Sequence, residues 1–418
     1  MKKIIRKILV SLTAIILLPP FLLFTLFLRI IKRDYNLIYS EKTNIIEKYY
    51  IKYKKWIFNN WKEWPLIGCD GPYIFTKDRC IEEINVIKGD NDKYLLHRKI
   101  HDSIPNQFLC QVYNEDRDNF YFSLHNETII DSSRYDMPSK MIAISDIEGN
   151  FNGFYSFLLS NKVIDKKYDW TFDDGHLVLL GDFMDRGKNV IQVLWLIYKL
   201  EQEALKFGGK VHFLLGNHEA KNIYSELHFA DSNYRAIAQR YANKKRNMEA
   251  YRELLKNNIL FDWVTTKNMI TIIGNNLFVH GGISPELFDA NLSIDYINDY
   301  IRKNEFNEQI HDLIFGTFGP LWYRGMVEGR KYKKTPYSKV SENHIDKVLE
   351  RFQVEKIIVG HSPVSDISYD HDCKVLRIDV IHGTDKFSGK TKGVLFENSM
   401  IYKINDLGEK FDIEMIKT

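Results

Sequence analysis

A layered α/β domain, preceded by a β-rich segment and a membrane-spanning helix, is the fold that this sequence predicts. Three observations predict it. Five short apolar runs in the C-terminal two-thirds each end at a metal-capable side chain, helix-like stretches separate them, and residues 8–28 carry no charge. With 418 residues, of which 44% are hydrophobic, the chain can form one large domain with attachments or two domains. Its formal net charge of +3 gives no argument for a nucleic-acid surface, and no nucleic-acid partner is expected. The four cysteines form no CxxC pair, which speaks against a zinc finger. Cys69 and Cys80 either pair as a disulfide or stay free thiols.

The elements follow in chain order. Lys2, Lys3, Arg6 and Lys7 precede "ILVSLTAIILLPPFLLFTLFL", Ile8 to Leu28, and about 20 apolar residues suffice for a bilayer-spanning helix. Pro19 and Pro20 should kink it. The run is too long for the apolar core of an ordinary cleaved signal, so residues 1–34 read as a single-pass membrane anchor. Arg29, Lys32 and Arg33 nearly balance the leading cluster, leaving only a lean toward an extracytoplasmic catalytic domain. Residues 35–68, basic and rich in aromatics, read as a helical stalk. In residues 69–135, "GPYIF", "EEINVI", "KYLLHRKI", "FLCQVYN" and "NFYFSLH" alternate with turn residues, which predicts a small antiparallel β subdomain without obvious chemistry.

Residues 136–418 hold the five runs. "KMIAIS" leads to Asp146 and Glu148, "HLVLLG" to Asp182, "VHFLLG" to Asn217 and His218, "NNLFV" to His280, and "KIIVG" to His361. Such runs form buried strands, and in open α/β sheets sites gather beyond the carboxyl ends of the strands. Five strand ends on one rim would bring together residues far apart in sequence. "NVIQVLWLIYKLEQEALKF" and "NYRAIAQRYANKKRNMEAYRELLKN" are the intervening helical stretches. His97, His101, His176, His212 and His371 match no block and read as structural.

Taken in order, "GDFMDRG", "GNHEAKN", "LFVHGGIS" and "GPLWYRG" resemble the calcineurin-like metallophosphoesterase superfamily, and within it the phosphoprotein phosphatase branch of bacterial type. The resemblance covers residues 138–405. It implies a four-layer α/β/β/α metallophosphatase sandwich with two metal ions at the strand ends. One ion would be held by Asp146, Glu148 and Asp182, the other by Asp182 as a bridge with Asn217, His280 and His361. Two divalent ions about 4 Å apart clamp a phosphoryl group and activate a water between them. His218 would then protonate the leaving oxygen, with Asp185 fixing its tautomer. Arg186 and Arg324 would bind phosphate oxygens.

One position departs from the pattern. The family's first block reads Asp-x-His, and this chain reads Asp-Ile-Glu. Cations between Asp146 and Glu148 would turn their repulsion into attraction. An all-oxygen first site favours manganese or iron, with zinc still admissible. Glu148 would bind directly, act through water, or cap the helix that starts near Gly149. The expected activity is metal-dependent hydrolysis of phosphate monoesters, on phosphoprotein or a small phosphate ester, at the membrane. A phosphodiesterase or nucleotide hydrolase on the same scaffold, and a phosphate-binding module without turnover, are the alternatives.

Overall fold

The computed structural model describes residues 63–415 apart from 78–79, 126, 128, 225–228, 245, 301, 303–307 and 328–337. The expected anchor and most of the stalk lie outside the described residues, among which no helix is long and apolar enough to cross a membrane.

The five β-prone runs are all strands. β1 (Asp70–Lys77), β2 (Cys80–Lys88) and β3 (Tyr94–His101) form an antiparallel sheet, and β4 (Phe108–Gln111) pairs with β5 (Asn119–Phe122). In the latter pair Phe108, Cys110, Phe120 and Phe122 turn inward while their neighbours face solvent, the period of two that a half-buried strand requires. All four cysteines are free. The pairing of Asp70 with Val86 and of Lys77 with Cys80 puts Cys69 and Cys80 at opposite ends of the β1–β2 ladder, so a disulfide between them is ruled out.

Among the described residues twelve further strands follow: β6 (Arg134–Tyr135), β7 (Lys140–Ile144), β8 (His176–Leu179), β9 (Lys210–Phe213), β10 (Ile270–Ile273), β11 (Asn276–Val279), β12 (Lys356–Val359), β13 (Ser368–Asp370), β14 (Val375–Arg377), β15 (Lys392–Glu397), β16 (Met400–Asn405) and β17 (Lys410–Phe411). They build two mixed six-stranded sheets, in the orders β17-β16-β15-β7-β8-β9 and β13-β14-β12-β11-β10-β6. β7, β8 and β9 are parallel, as are β11, β12 and β14. The expected strands are therefore divided between two sheets, three in one and two in the other.

Alternation along each strand explains the stacking. Met141, Ala143, Val178 and Leu180 of the first sheet meet Phe278, Ile358, Leu376 and Ile378 of the second in an apolar interlayer, where the Phe278 and Phe396 rings lie 6.0 Å apart. Ile142, Ile144, Leu177 and Leu179 turn the other way and belong to the larger core. That core also takes in the buried faces of α1 (Phe151–Ser160) and α2 (Val190–Lys206). Next come α3 (Asn217–Ile223), α4 (Ser232–Ala242), α5 (Asn247–Leu255), α6 (Ile259–Val264), α7 (Pro285–Asp289), α8 (Ile294–Tyr300), α9 (Glu308–Phe315) and α10 (Glu342–Phe352). The long stretch after Asn233 is two helices, α4 and α5, because Asn243 turns left-handed at φ 51° and ends the first.

The β-rich segment shares this core. Phe122 stacks on Trp195 of α2 at 4.1 Å, the Trp195 indole donates to Pro72 O at 2.8 Å, and Gln192 donates to Asp70 at 3.0 Å. Arg134 and Tyr135 supply the edge strand β6, pairing in parallel with β10.

Candidate metal centre

The site lies where the carboxyl ends of β7, β8 and β9 meet those of β11 and β12. Backbone conformation aims its side chains. Asp146, Glu148, Asp182, Asp185, Arg186 and His361 all have φ between 49° and 69°, a left-handed region that few residues other than glycine enter. Each strand thus turns sharply as it ends and throws its next side chains onto the rim. Close approach of two backbones also matters. A Cβ on Gly181 would stand 2.6 Å from Gly216 Cα, and one on Gly216 would collide with the Asp182 backbone N and carboxylate. Glycine at both positions lets the turns after β8 and β9 touch.

Asp182 occupies the start of α3. Its Oδ1 accepts from His218 N at 2.8 Å, a helix N-terminus that favours negative charge. Glu219, one residue on, anchors the β8 turn by accepting from Asp182 N at 2.8 Å, Phe183 N at 2.9 Å, Met184 N at 3.0 Å and Gly216 N at 2.7 Å.

Three donor atoms converge beside Asp182. His280 Nδ1 lies 2.7 Å from Leu180 O, which makes it the protonated nitrogen and turns Nε2 inward, 3.2 Å from Asp182 Oδ2. His361 Nε2 lies 3.1 Å from Trp322 O, leaving Nδ1 to face the site. The Asn217 amide oxygen lies 3.2 Å from His280 Nε2, and with His361 Nδ1 and Asp182 Oδ2 it completes a group of lone-pair atoms. Carbonyls that fix both tautomers from outside are the usual support of a metal-binding imidazole. Asp182, His280 and His361 bring their ligand atoms within 4.8 Å of one another, as do Glu148, Asp182 and His218.

The electrostatics make the same demand. Burial pushes the Asp146 carboxyl up against the pull of His280, and Asp182 adds to the push. Burial opposes ionisation of Asp182 too, but His280 and His218 hold it well below the usual carboxylate range. Burial alone would lower His280, yet Asp182 and Asp146 raise it to about 10. A centre that draws a proton onto a fully buried imidazole is one that calls for positive charge. The residues therefore fit a bound cation.

The remaining expected residues are also on this rim. The Asp146 carboxylate accepts from Ser145 Oγ and, at 3.1 Å, from His361 N. The Glu148 carboxylate meets the Arg186 guanidinium instead, so the two acids after β7 are kept apart by separate partners. Asn150, whose side chain accepts from Gly153 N at 3.1 Å, caps α1, and Glu148 does not. Arg186 Nη2 lies 3.3 Å from His218 Nε2, and His218 Nδ1 lies 2.8 Å from Asp185 Oδ2. Asn222 donates to Asp185 Oδ1 at 3.0 Å and accepts in turn from the Tyr251 hydroxyl. Arg324 donates to His361 O and, at 3.3 Å, to Ser362 Oγ.

The histidines outside the blocks hold structural contacts: His176 with His212 at 3.0 Å, His101 with Glu83 at 2.7 Å, and His371 with Glu342 at 2.6 Å. Sequence reasoning missed Asp379. It follows β14, the parallel neighbour of β12 in which Arg377 pairs with Val359, so its side chain falls level with His361. Its carboxyl is buried, pushed well above the usual range by that burial and then by Asp146. "VLRID" repeats the rule of an apolar run ending in an acid, but Arg377 interrupts the run and hides it.

A family model described as calcineurin-like phosphoesterase matches residues 139–365. The chain is 24% identical over 301 residues to Shewanella-like protein phosphatase 2 of Arabidopsis thaliana, covering 62% of this chain and 74% of that one. It is 25% identical over 259 residues to Shewanella-like protein phosphatase 1 of Plasmodium berghei, covering 56% and 65%. The crystal structure of a cold-active protein-tyrosine phosphatase from a psychrophilic Shewanella superposes with a TM-score of 0.68 at 28% identity, over 82% of this chain and 99% of the other.

Proposed function

From the premise that this chain belongs to the calcineurin-like phosphoesterase family and is a metal-dependent phosphatase similar to the Shewanella-like protein phosphatases, we propose that it hydrolyses phosphate monoesters on proteins with two metal ions. Asp146, Glu148 and Asp182 would hold one ion, and Asp182, Asn217, His280 and His361 the other. The observation that carries this reading is the convergence of the inward lone pairs of His280 and His361 on Asp182 and the Asn217 amide.

Bound divalent ions would neutralise phosphoryl charge and lower the pKa of a water held between them. The protein's own groups do the rest. Asp185 accepts the Nδ1 proton of His218 and so turns Nε2 to the rim, where the ring in its doubly protonated form would hand a proton to the leaving alkoxide. Asn222 and Tyr251 keep Asp185 in place behind it. Arg186, beside His218 Nε2, and Arg324 offer N–H groups to the phosphate oxygens. An acid placed for one leaving group, among side chains that carry positive charge, suits a dianionic monoester better than a diester.

The similarity to protein phosphatases, among them a protein-tyrosine phosphatase, supports the protein substrate. With manganese added, turnover of p-nitrophenyl phosphate should far exceed that of bis(p-nitrophenyl) phosphate, and phosphoserine or phosphotyrosine peptides should be hydrolysed. Preference for the diester would move the reading to a phosphodiesterase, and no turnover of either would favour a binding module. The uncharged run from Ile8 to Leu28 further supports a single-pass membrane enzyme. Full-length protein should stay with membranes through alkaline carbonate, and deletion of residues 1–34 should release it. A mature chain starting near Arg33 would mean cleavage.

A further inference from the structure

One turn after Asn217, on the same face of α3, stands Lys221. It is 9% exposed, and an ammonium so far from water needs partners to hold it there. Two rings supply part of that support, with Nζ 4.1 Å from the centroid of Phe229 and 4.3 Å from that of Trp322. Both rings border the metal centre. Trp322 is the residue whose carbonyl fixes His361, and Phe229 sets its ring against His218 at 5.2 Å. Lys221 therefore stands in the wall behind Asn217, its Nζ 3.2 Å from the side-chain amide.

That amide can present either end to the centre. With the oxygen inward it offers a lone pair to a cation, as in the group of ligand atoms described above. Without a cation the same orientation is unfavourable. His361 gives its Nε2 proton to Trp322 O, so the oxygen would face a second lone pair, that of His361 Nδ1, at 2.7 Å. On the other side the amide NH2 would face the ammonium of Lys221. Turned over, the amide satisfies both neighbours. Its nitrogen donates to His361 Nδ1 at 2.7 Å and to Asp182 Oδ2 at 3.2 Å, and its oxygen accepts from Lys221 Nζ at 3.2 Å. His280 Nε2 keeps Asp182 Oδ2 as its own partner at 3.2 Å.

We propose that Lys221 is a positioning residue for the ion held by Asp182, Asn217, His280 and His361. It keeps the Asn217 oxygen turned away when no ion is bound, and the ion must take that oxygen from the lysine as it enters. The proposal rests on the two-ion reading above and adds to it a residue that sets how firmly one of the ions is held. Hydrogen bonds from charged donors are among the stronger ones in proteins, so the competition should be visible in metal affinity.

The test titrates full-length protein, stripped with a chelator, with zinc in a calorimeter. Lys221→Met keeps the length and loses the charge. It should tighten one of the two binding steps about tenfold, the scale of one hydrogen bond to a charged group. Lys221→Arg, which keeps both charge and donor, should stay within about threefold of the parent. Loss of a nearby positive charge would also favour a cation through Coulomb attraction alone, so the comparison is repeated on Asn217→Ala. There the gain from Lys221→Met should shrink to about twofold or less, because the amide that couples lysine to ion is gone. A gain that survives in full on Asn217→Ala would mean simple repulsion and overturn the proposal, as would unchanged or looser zinc binding by Lys221→Met itself. Should the methionine variant fail to fold, Lys221→Gln replaces it with the same sign expected. Parent protein that took up a single ion would count against the two-ion reading, and the same comparison on that ion would still decide the part played by Lys221.

Discussion

His218 is fixed at Nδ1 by Asp185 and turns Nε2 toward the rim, beside Arg186. Replacing the ring with the amide of His218→Asn should lower kcat by roughly a hundredfold or more, most of all for phosphoserine, whose leaving alkoxide is a strong base. Metal content should stay at that of the parent, and equal losses for phosphoserine and p-nitrophenyl phosphate would give His218 another role. Glu148 raises a different question, since its carboxylate both approaches Asp182 and pairs with Arg186. If it is a ligand, Glu148→Ala should bind close to one ion instead of two, and Glu148→His should move the preference toward zinc. Elemental analysis decides the point, because two ions and an unchanged preference in the alanine variant would reduce Glu148 to a partner of Arg186.

At the scale of elements, the site depends on how strands stop. The apolar runs that became β7, β8, β9, β11 and β12 were legible in the sequence because strands buried on both faces read as unbroken hydrophobic stretches. Their division between two sheets was not, since a run of four or five apolar residues carries no mark of its partner strand. Nor was the break between α4 and α5, where a single left-handed Asn243 outweighs a continuous helical pattern. Support behind the site was equally hidden, because Asn222 and Tyr251 stand 29 residues apart and meet only through the packing of α3 and α5. Asn222→Ala should cost kcat about tenfold through a loosened Asp185. Tyr251→Phe should cost less, and KM should stay within about twofold in both. A change in KM alone would instead tie these residues to substrate binding.

For the molecule as a whole, half-buried and buried neutral histidines contribute to the response to acid. Burial lowers His176 and His382 to about 4, and His212 lies well below its ordinary value. At His382 burial outweighs the Nε2 bond to Ser145 O at 2.7 Å, which favours the charged ring, and Nδ1 faces Lys392 N at 3.4 Å, so an added proton would confront an N–H. A histidine depressed in the folded state contributes stability that is complete above about pH 6.5 and is lost as the pH falls toward 4. At pH 5 the His382 share of that loss is at most about 2 kcal/mol. The urea midpoint should therefore fall between pH 7 and pH 5, and His382→Gln should flatten that dependence. An unchanged slope in the variant would assign the acid response to other groups.

The left-handed turns at Asp146, Glu148, Asp182, Asp185, Arg186 and His361 have a consequence for motion. Each such conformation costs about 1 kcal/mol or more, and six of them together rival the net stability of a typical domain, about 5–15 kcal/mol. So much strain in one place persists only while the charges it gathers are balanced. Stripping cations with a chelator should let the rim breathe before the rest of the fold does. Amide hydrogens at 145–149 and 181–187 would then exchange with deuterium far sooner than those of β7 and β8, only a few residues away.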